Sequence, residues 1–222
     1  MQPTANMKPR ALLHQSAPSA KAQASNYRFC TIEPNVGIVE VPDPRLAQLA
    51  AIVQPQRVLP ATVEFVDIAG LVAGASKGEG LGNQFLANIR ESDAICQVIR
   101  AFKDEDVVHV DGRIDPKEDI VTINAELCLA DLQTIEKALP RLEKEAKTAK
   151  EKLPVIEACK AAQTILNDGK LLSGSKVDLE NLAELHLLTA KPFLYVFNVD
   201  AAELCDANLR KELSAIVAPA EA

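Results

Sequence analysis

Short runs of apolar and β-branched residues occur at four places along the chain, and each run predicts a strand. The runs are VGIVEV (36–41), TVEFV (62–66), AICQVI (94–99) and FLYVF (193–197). Turn-forming residues close the first run at Pro42-Asp43-Pro44. A glycine-rich stretch follows the second run and leads into a helical pattern before the third. This order of strand, loop, helix and strand is typical of a parallel α/β sheet.

Apolar positions at helical spacing predict short helices at 45–53, 83–90 and 207–217. A longer pattern with steps of three and four is typical of a helical hairpin or short coiled coil. Its apolar positions are Leu129, Leu132, Ile135, Leu139, Leu142, Ala146, Ala149, Leu153 and Ile156. Pro140 and Pro154 lie inside this pattern, so we expect them to kink or split it.

The second helix of the hairpin is predicted over 155–167, with Gly169 available for a left-handed cap after Asp168. Asp178 is placed to cap a further short helix that extends through Leu188. Because a strand pattern resumes at Phe193, the helical segment is predicted to be an insertion within an α/β domain.

Composition narrows the classes of function. The 222 residues carry 24 basic and 31 acidic side chains, a net charge of −7 that disfavours broad, non-specific binding to nucleic-acid duplexes. Six Phe, two Tyr and no Trp leave little aromatic surface for stacking on single-stranded bases. No apolar run is long enough for a transmembrane helix, so no membrane partner is expected. Five scattered cysteines indicate reduced thiols and a cytoplasmic protein.

Charge is unevenly distributed. The first 32 residues hold no Asp or Glu, which is typical of a disordered N-terminus or, less often, of an organelle transit segment. The acidic segment 104–119 has no calcium-loop spacing and is interpreted as solvated turns. A basic run contains Arg141, Lys144, Lys147, Lys150 and Lys152 near the predicted hairpin tip. It is either a solvated helix face or a ligand-binding patch.

The end of the second predicted strand carries candidate phosphate chemistry. Asp67 stands where a carboxylate holds magnesium through a water, and Gly70 lets a backbone amide approach a terminal phosphate. Thr31 upstream offers a magnesium-binding hydroxyl, and Asn198 ends a later strand, where an amide side chain can read a purine edge. These parts occur in the order found in a P-loop NTPase.

Four stretches resemble the YchF family of Obg-like ATPases: NYRFCTIEPNVGIVEVPDPRL (26–46), DIAGLVAGASKGEGLGNQFLANIRESDAI (67–95), DVVHVDGRIDPKEDI (106–120) and LTAKPFLYVFNVD (188–200). The resemblance implies an α/β fold of the Ras-like G-domain type, here an incomplete P-loop NTPase sheet with an inserted helical hairpin. It also implies ATP or GTP binding with Mg²⁺, hydrolysis of ATP and association with the ribosome. The nucleotide-binding domain is then expected at 20–119 and 189–222, the hairpin at 120–188 and a divergent N-terminus at 1–19.

Carried over position by position, Thr31 and Asp67 match the family's magnesium-binding residues, and Gly70 matches its γ-phosphate sensor. Leu71 occupies the place where many GTPases keep a catalytic Gln. Since an apolar side chain cannot orient water, no catalytic residue is assigned.

Asn198 and Val199 match base-contacting positions of the family's N-x-x-E motif. The fourth position is Ala201, so the acidic base reader is absent. Asp200 or Glu203 would substitute only with a changed loop, which leaves the preference between ATP and GTP open.

The sequence contains no G-x-x-x-x-G-K-[ST] string, the cradle in which backbone amides and a Lys hold the phosphates. We therefore expect an internal piece of the family's domain, without the P-loop and the C-terminal TGS domain, that is inactive as given. Two alternatives remain open: a non-catalytic module that binds the ribosome or a protein, and a truncated gene model.

Overall fold

The structure is a computed structural model that describes residues 35–67, 81–102, 115–201 and 203–217. The chain divides into two compact units, Met1–Ala69 and Gly70–Ala222. The predictions at Thr31, Gly70 and Leu71, and for the N-terminal segment 1–19, lie outside the described residues.

Two strands and one helix lie in residues 35–67, the described part of the first unit. Strands β1 (Asn35–Glu40) and β2 (Thr62–Asp67) pair antiparallel, with Val36 opposite Val66. Helix α1 (Pro44–Val53) lies between them in the chain. It begins where the Asp43 carboxylate accepts a hydrogen bond from the Arg45 backbone N–H at 2.9 Å. The strands and the helix predicted from the sequence are confirmed here, within one residue at each end.

The second unit contains a parallel strand pair. Helix α2 (Leu81–Glu91) leads into β3 (Ile95–Arg100), which pairs with β4 (Phe193–Asn198). A parallel pair requires a crossover connection, and the long helical segment between the two strands supplies it. The predicted parallel arrangement is therefore found for β3 and β4, whereas β1 and β2 run antiparallel.

Two antiparallel helices form most of that crossover. They are α3 (Pro116–Glu145) and α4 (Leu153–Asn167), joined through a short 3₁₀ helix at Lys150–Lys152. Near the connection, the Lys160 ammonium nitrogen of α4 lies 3.7 Å from a carboxylate oxygen of Glu143 in α3. At the far end, the Cys128 thiol of α3 donates to the Lys170 carbonyl oxygen just beyond α4, at 3.5 Å. The two contacts show that the helices run antiparallel.

The ends of these two helices follow their local sequence. Asp115 begins α3 by accepting a hydrogen bond from the Glu118 backbone N–H at 3.1 Å. At the end of α4, Gly169 adopts a φ of +71°. Its N–H donates to the Leu166 carbonyl, and the Lys170 N–H donates to the Ile165 carbonyl. These two bonds form a Schellman motif and confirm the predicted stop at Asp168-Gly169.

The core of the second unit lies between α3 and α4. Ile135, Leu142 and Ile156 of the predicted seam are buried in it. Leu129 and Leu153, however, are 38% and 47% exposed, so the prediction was wrong for these two positions. Because α3 contacts β3 and the 188–190 segment as well as α4, its buried face is not the straight stripe of an isolated helical pair. Helix α5 (Ala207–Val217) follows β4 where it was predicted.

The two prolines of the seam behave differently. Helix α3 continues through Pro140 to Glu145, so of the two outcomes predicted for this proline, a kink or a split, the split does not occur. Ile135 and Leu142 are buried on either side of Pro140 and hold the adjoining turns in the core. Pro154 lies in the first turn of α4, where no intrahelical N–H is required, and the break before it is the predicted one.

The predicted helix after Asp178 is a 3₁₀ helix at Glu180–Leu185, which ends at His186 with a φ of +47°. Asp178 accepts the capping hydrogen bond from the Asn181 backbone N–H at 3.3 Å, as expected. A second 3₁₀ helix at Leu188–Ala190 leads into β4. Within the described ranges, no helix is long and apolar enough to cross a membrane.

Candidate functional site

The carboxyl ends of β3 and β4 bring Asn198 beside Arg100. The two residues are opposite each other in the parallel register, and Asn198 is 3% exposed. Ligands in open α/β sheets bind outside the carboxyl ends of the strands. Asn198 therefore lies at an edge of this kind, and its purine-reading role stays a prediction.

A compact turn fixes the backbone at this edge. The backbone N–H groups of Ala101 and Phe102 both donate to the Asn198 carbonyl oxygen, at 2.8 and 3.1 Å. The Arg100 guanidinium donates to the Phe102 carbonyl at 3.2 Å and lies 4.6 Å from the centre of the Phe102 ring. Sequence reasoning missed Arg100, because an arginine that ends an apolar strand resembles any exposed end residue.

The loop after β4 holds the other base-contacting candidates. Val199 is half-buried and Ala201 is exposed. The Glu203 carboxylate accepts from the Asp200 backbone N–H at 3.1 Å, and the Asp200 carbonyl accepts from Glu203 and Leu204. Glu203 is thus committed to its own loop, and a rearrangement would be required before it replaced the acid missing at Ala201.

Of the positions predicted for magnesium and the terminal phosphate, only Asp67 lies within the described residues. It is the last residue of β2, in the first unit, whereas Asn198 belongs to the second. Among the residues that the structure describes, no group of three or more His, Cys, Asp or Glu side chains has metal-binding geometry.

The hairpin tip carries exposed lysines. Lys144 lies in the last turn of α3, Lys147 in the following turn and Lys150 in the 3₁₀ helix. The acidic neighbours Glu143 and Glu145 form their ion pairs with Lys160 and Arg141 instead. Within the described part of the chain, the three tip lysines therefore present their ammonium groups to solvent.

A buried acid lies deep in the helical segment. Asp131 of α3 is 0% exposed and accepts three hydrogen bonds. Leu188 N–H donates to Oδ1 at 2.9 Å, while the Thr189 N–H and hydroxyl both donate to Oδ2 at 2.7 Å. Asp131 was not among the residues predicted from the sequence. The available signal was an acid at helical spacing from the apolar residues Leu127 and Ile135.

Burial raises the pKa of Asp131. The hydrogen bonds from Leu188 and Thr189 lower it, as does the positive charge of Arg90, but together they offset only part of the rise. Burial likewise raises the pKa of the Cys128 thiol to about 11, with a further contribution from Asp131. The thiol is therefore held neutral and poorly nucleophilic.

Comparison with known proteins gives a consistent result. A family model described as a 50S ribosome-binding GTPase matches residues 10–126. The Ribosome-binding ATPase YchF of Haemophilus influenzae is 53% identical over 197 residues, which is 86% of this chain and 54% of that protein. The protein of the same name from Bacillus subtilis is 44% identical over 211 residues, covering 93% of this chain and 58% of the relative.

A solved structure extends the similarity to the fold. The YchF GTPase of Schizosaccharomyces pombe superposes with a TM-score of 0.68 at 32% identity, covering 97% of this chain and 63% of that one. The chain thus spans about half the length of the curated relatives it matches.

Proposed function

The chain belongs to the YchF family of G-domain NTPases, and from this premise we propose that it serves in a ribosome-associated protein regulated by a purine nucleotide. The observation that carries the proposal is the high identity to relatives named ribosome-binding ATPases over most of this chain. The expected location is the cytoplasm, where ribosomes are available to such a protein.

We infer that the nucleotide is held at the strand ends. Asn198 and Val199 contact the base, and the closed turn at Ala101 and Phe102 supports this role because it fixes the Asn198 backbone. Relatives carry both ATPase and GTPase in their names. The absence of an acid at Ala201 is consistent with a base preference that differs from that of N-x-x-E proteins.

The cofactor proposed is Mg²⁺ bound together with the nucleotide. Asp67 and Thr31 are the protein ligands we assign to it, directly or through water, and Gly70 senses the terminal phosphate. Asp67 is the last residue of β2. With Leu71 in place of a Gln, water would have to be oriented by another group.

We also propose the domain layout that the resemblance implies. Residues 20–119 and 189–222 form the nucleotide-binding domain, and 120–188 form the inserted hairpin. The parallel pairing of β3 with β4 on either side of the helical segment supports an insertion. We assign the ribosome contact to Lys144, Lys147 and Lys150, whose ammonium groups are available to RNA phosphates.

The experiment is co-sedimentation with ribosomes over a series of salt concentrations. Replacing Lys144, Lys147 and Lys150 with Glu should weaken ribosome binding. The slope of the logarithm of the binding constant against the logarithm of the salt concentration should become shallower by about 0.7–0.9 for each phosphate that is no longer neutralised. Replacing Lys137, Lys170 and Lys176 with Glu changes the net charge equally, on exposed positions away from the tip, and should have little effect.

If both triple variants weaken binding equally, binding depends on overall charge rather than on the tip. If neither does, the tip lysines are a solvated helix face. If the unmodified chain does not sediment with ribosomes, the ribosome-associated function is wrong for this polypeptide.

A further inference from the structure

Parts of the chain that are distant in sequence meet around the buried Asp131. Besides the bonds from Leu188 and Thr189, the Lys191 ammonium donates to the carbonyl oxygens of Arg90, at 3.0 Å, and Ser92. The Arg90 guanidinium donates to the Thr134 hydroxyl of α3 at 3.1 Å. We call this set the junction: Arg90, Asp131, Thr134, Thr189 and Lys191.

We propose that the junction is a positioning device for the nucleotide site, which joins α2 and β4 to α3 so that all three move as one body. The inference rests on the proposed function, because β4 carries Asn198, the residue assigned to the base. Helix α2 starts at Leu81, downstream of Gly70 in the chain, and β4 ends at Asn198.

The bonds of the junction lie at the ends of the elements they join. All three hydrogen bonds to Asp131 come from the segment that leads into β4, so they fix the point at which that strand starts. Lys191 places a positive charge on the last carbonyls of α2, where a helix has unsatisfied acceptors and the negative end of its dipole. Each element is thus held at its end, where a tether controls its position.

The chemistry of the buried group also favours a positioning role. A carboxylate inside an apolar core has a large desolvation cost, and an apolar residue of similar size is often as stabilising or more so. A buried acid that accepts three defined hydrogen bonds instead fixes one relative placement of the parts it joins. The junction therefore contributes a defined geometry between α3, α2 and β4.

Hydrogen–deuterium exchange on the 222-residue chain tests the coupling without any nucleotide. Thr189→Val removes one donor to Asp131 and keeps the side-chain shape. We expect exchange to accelerate by about tenfold in the last turn of α2 and in β4, with α4 unchanged. Thr189→Ser keeps the hydroxyl and should restore the slow exchange. The matched control is Thr164→Val on α4, where the exposed hydroxyl bonds only within its own helix.

Acceleration confined to 188–191, or equal acceleration that includes α4, would overturn the coupling. If Thr189→Val fails to fold, Thr134→Val is measured instead. Thr134 is half-buried, and this substitution removes the hydroxyl that accepts the hydrogen bond from the Arg90 guanidinium. Faster exchange in α2 is then the supporting result, and unchanged exchange in α2 is the opposing one.

Titration with Mg-ATP tests the link to the nucleotide site. If the unmodified chain binds, Thr189→Val should weaken binding by about threefold to tenfold, and Thr189→Ser should not. An unchanged affinity together with altered exchange would refute the positioning role. If the unmodified chain binds Mg-ATP too weakly to measure, exchange alone decides whether the junction couples the three elements, and the nucleotide function is judged separately.

Discussion

At the scale of single residues, the most consequential group is the Asp131 carboxylate. It is fully buried, it accepts from Leu188 and Thr189, and Arg90 of α2 supplies positive charge. The hydrogen bonds favour the charged form and the loss of water opposes it, with burial the larger effect on its pKa. The folded chain therefore holds the Asp131 proton more tightly than the unfolded chain does.

The stability contributed by Asp131 should accordingly depend on pH. Because its folded pKa is raised above the ordinary value of 3.8, the contribution is complete below that value and is lost as pH rises through the folded pKa. Asp131→Asn removes the titratable carboxyl group and turns an amide N–H₂ toward backbone N–H donors. We expect this substitution to lower the free energy of unfolding by about 1–3 kcal/mol. The stability gap between the unmodified chain and Asp131→Asn should be widest in acid and narrow with increasing pH.

Urea unfolding of both proteins between about pH 4 and pH 8 measures this gap, since shared titrations cancel in the difference. Thr164→Val serves as a control whose stability difference should not vary with pH. A gap that widens toward neutral pH would show that the hydrogen bonds to the carboxylate outweigh its burial.

At the scale of elements, the helices stop where their capping residues stand. Gly169 follows the end of α4 with a φ of +71°, and beyond its two chain neighbours no atom lies within 4 Å of the place where its Cβ would be. A substitution there meets backbone strain without a steric clash. The loss of stability caused by a side chain at this position therefore measures the backbone strain of the left-handed cap.

Gly169→Ala should destabilise the second unit by about 1 kcal/mol, because left-handed backbone is unfavourable for a residue with a Cβ. Gly169→Asn should cost less, since Asn tolerates that region better than Ala does. Chemical denaturation followed by circular dichroism measures both. Equal stability of the Ala and Asn variants would indicate that the Schellman bonds, rather than the φ angle, set the end of α4.

At the scale of the whole molecule, nucleotide affinity depends on groups that the 222-residue polypeptide lacks. The residues assigned to magnesium and the terminal phosphate complete a shell around a phosphate that a P-loop must first anchor. Each charged hydrogen bond of that cradle contributes about 1.5–3 kcal/mol. The base contacts that we propose for Asn198 and Val199 would not offset that loss.

We therefore predict that this polypeptide binds ATP and GTP with millimolar affinity or weaker and does not hydrolyse them. Isothermal titration calorimetry with Mg-ATP and Mg-GTP, together with a phosphate-release assay, measures both properties. Because Asn198 is the residue assigned to the base, Asn198→Ala should weaken even this binding by at least as much as Thr189→Val does. Micromolar binding of either nucleotide by the unmodified polypeptide would overturn the prediction.

Much of the molecule could be predicted from local pattern. The four strands and the helices α1, α2 and α5 lie within about two residues of their predicted bounds, because apolar period and turn residues act over a few positions. The caps predicted at Gly169 and Asp178 depend on equally local residues. Family membership was also contained in the sequence, since the matching stretches are long and contiguous.

The sequence by itself thus determined the elements, the family and the placement of Asn198 at a strand end. Only the tertiary structure decided that α3 continues through Pro140, that Leu129 and Leu153 face solvent, and that Asp131 accepts bonds from a segment 57 positions away. The reason is physical: capping and periodicity are properties of neighbouring residues, whereas burial and the hydrogen bonds of a buried acid depend on which distant surface packs against it.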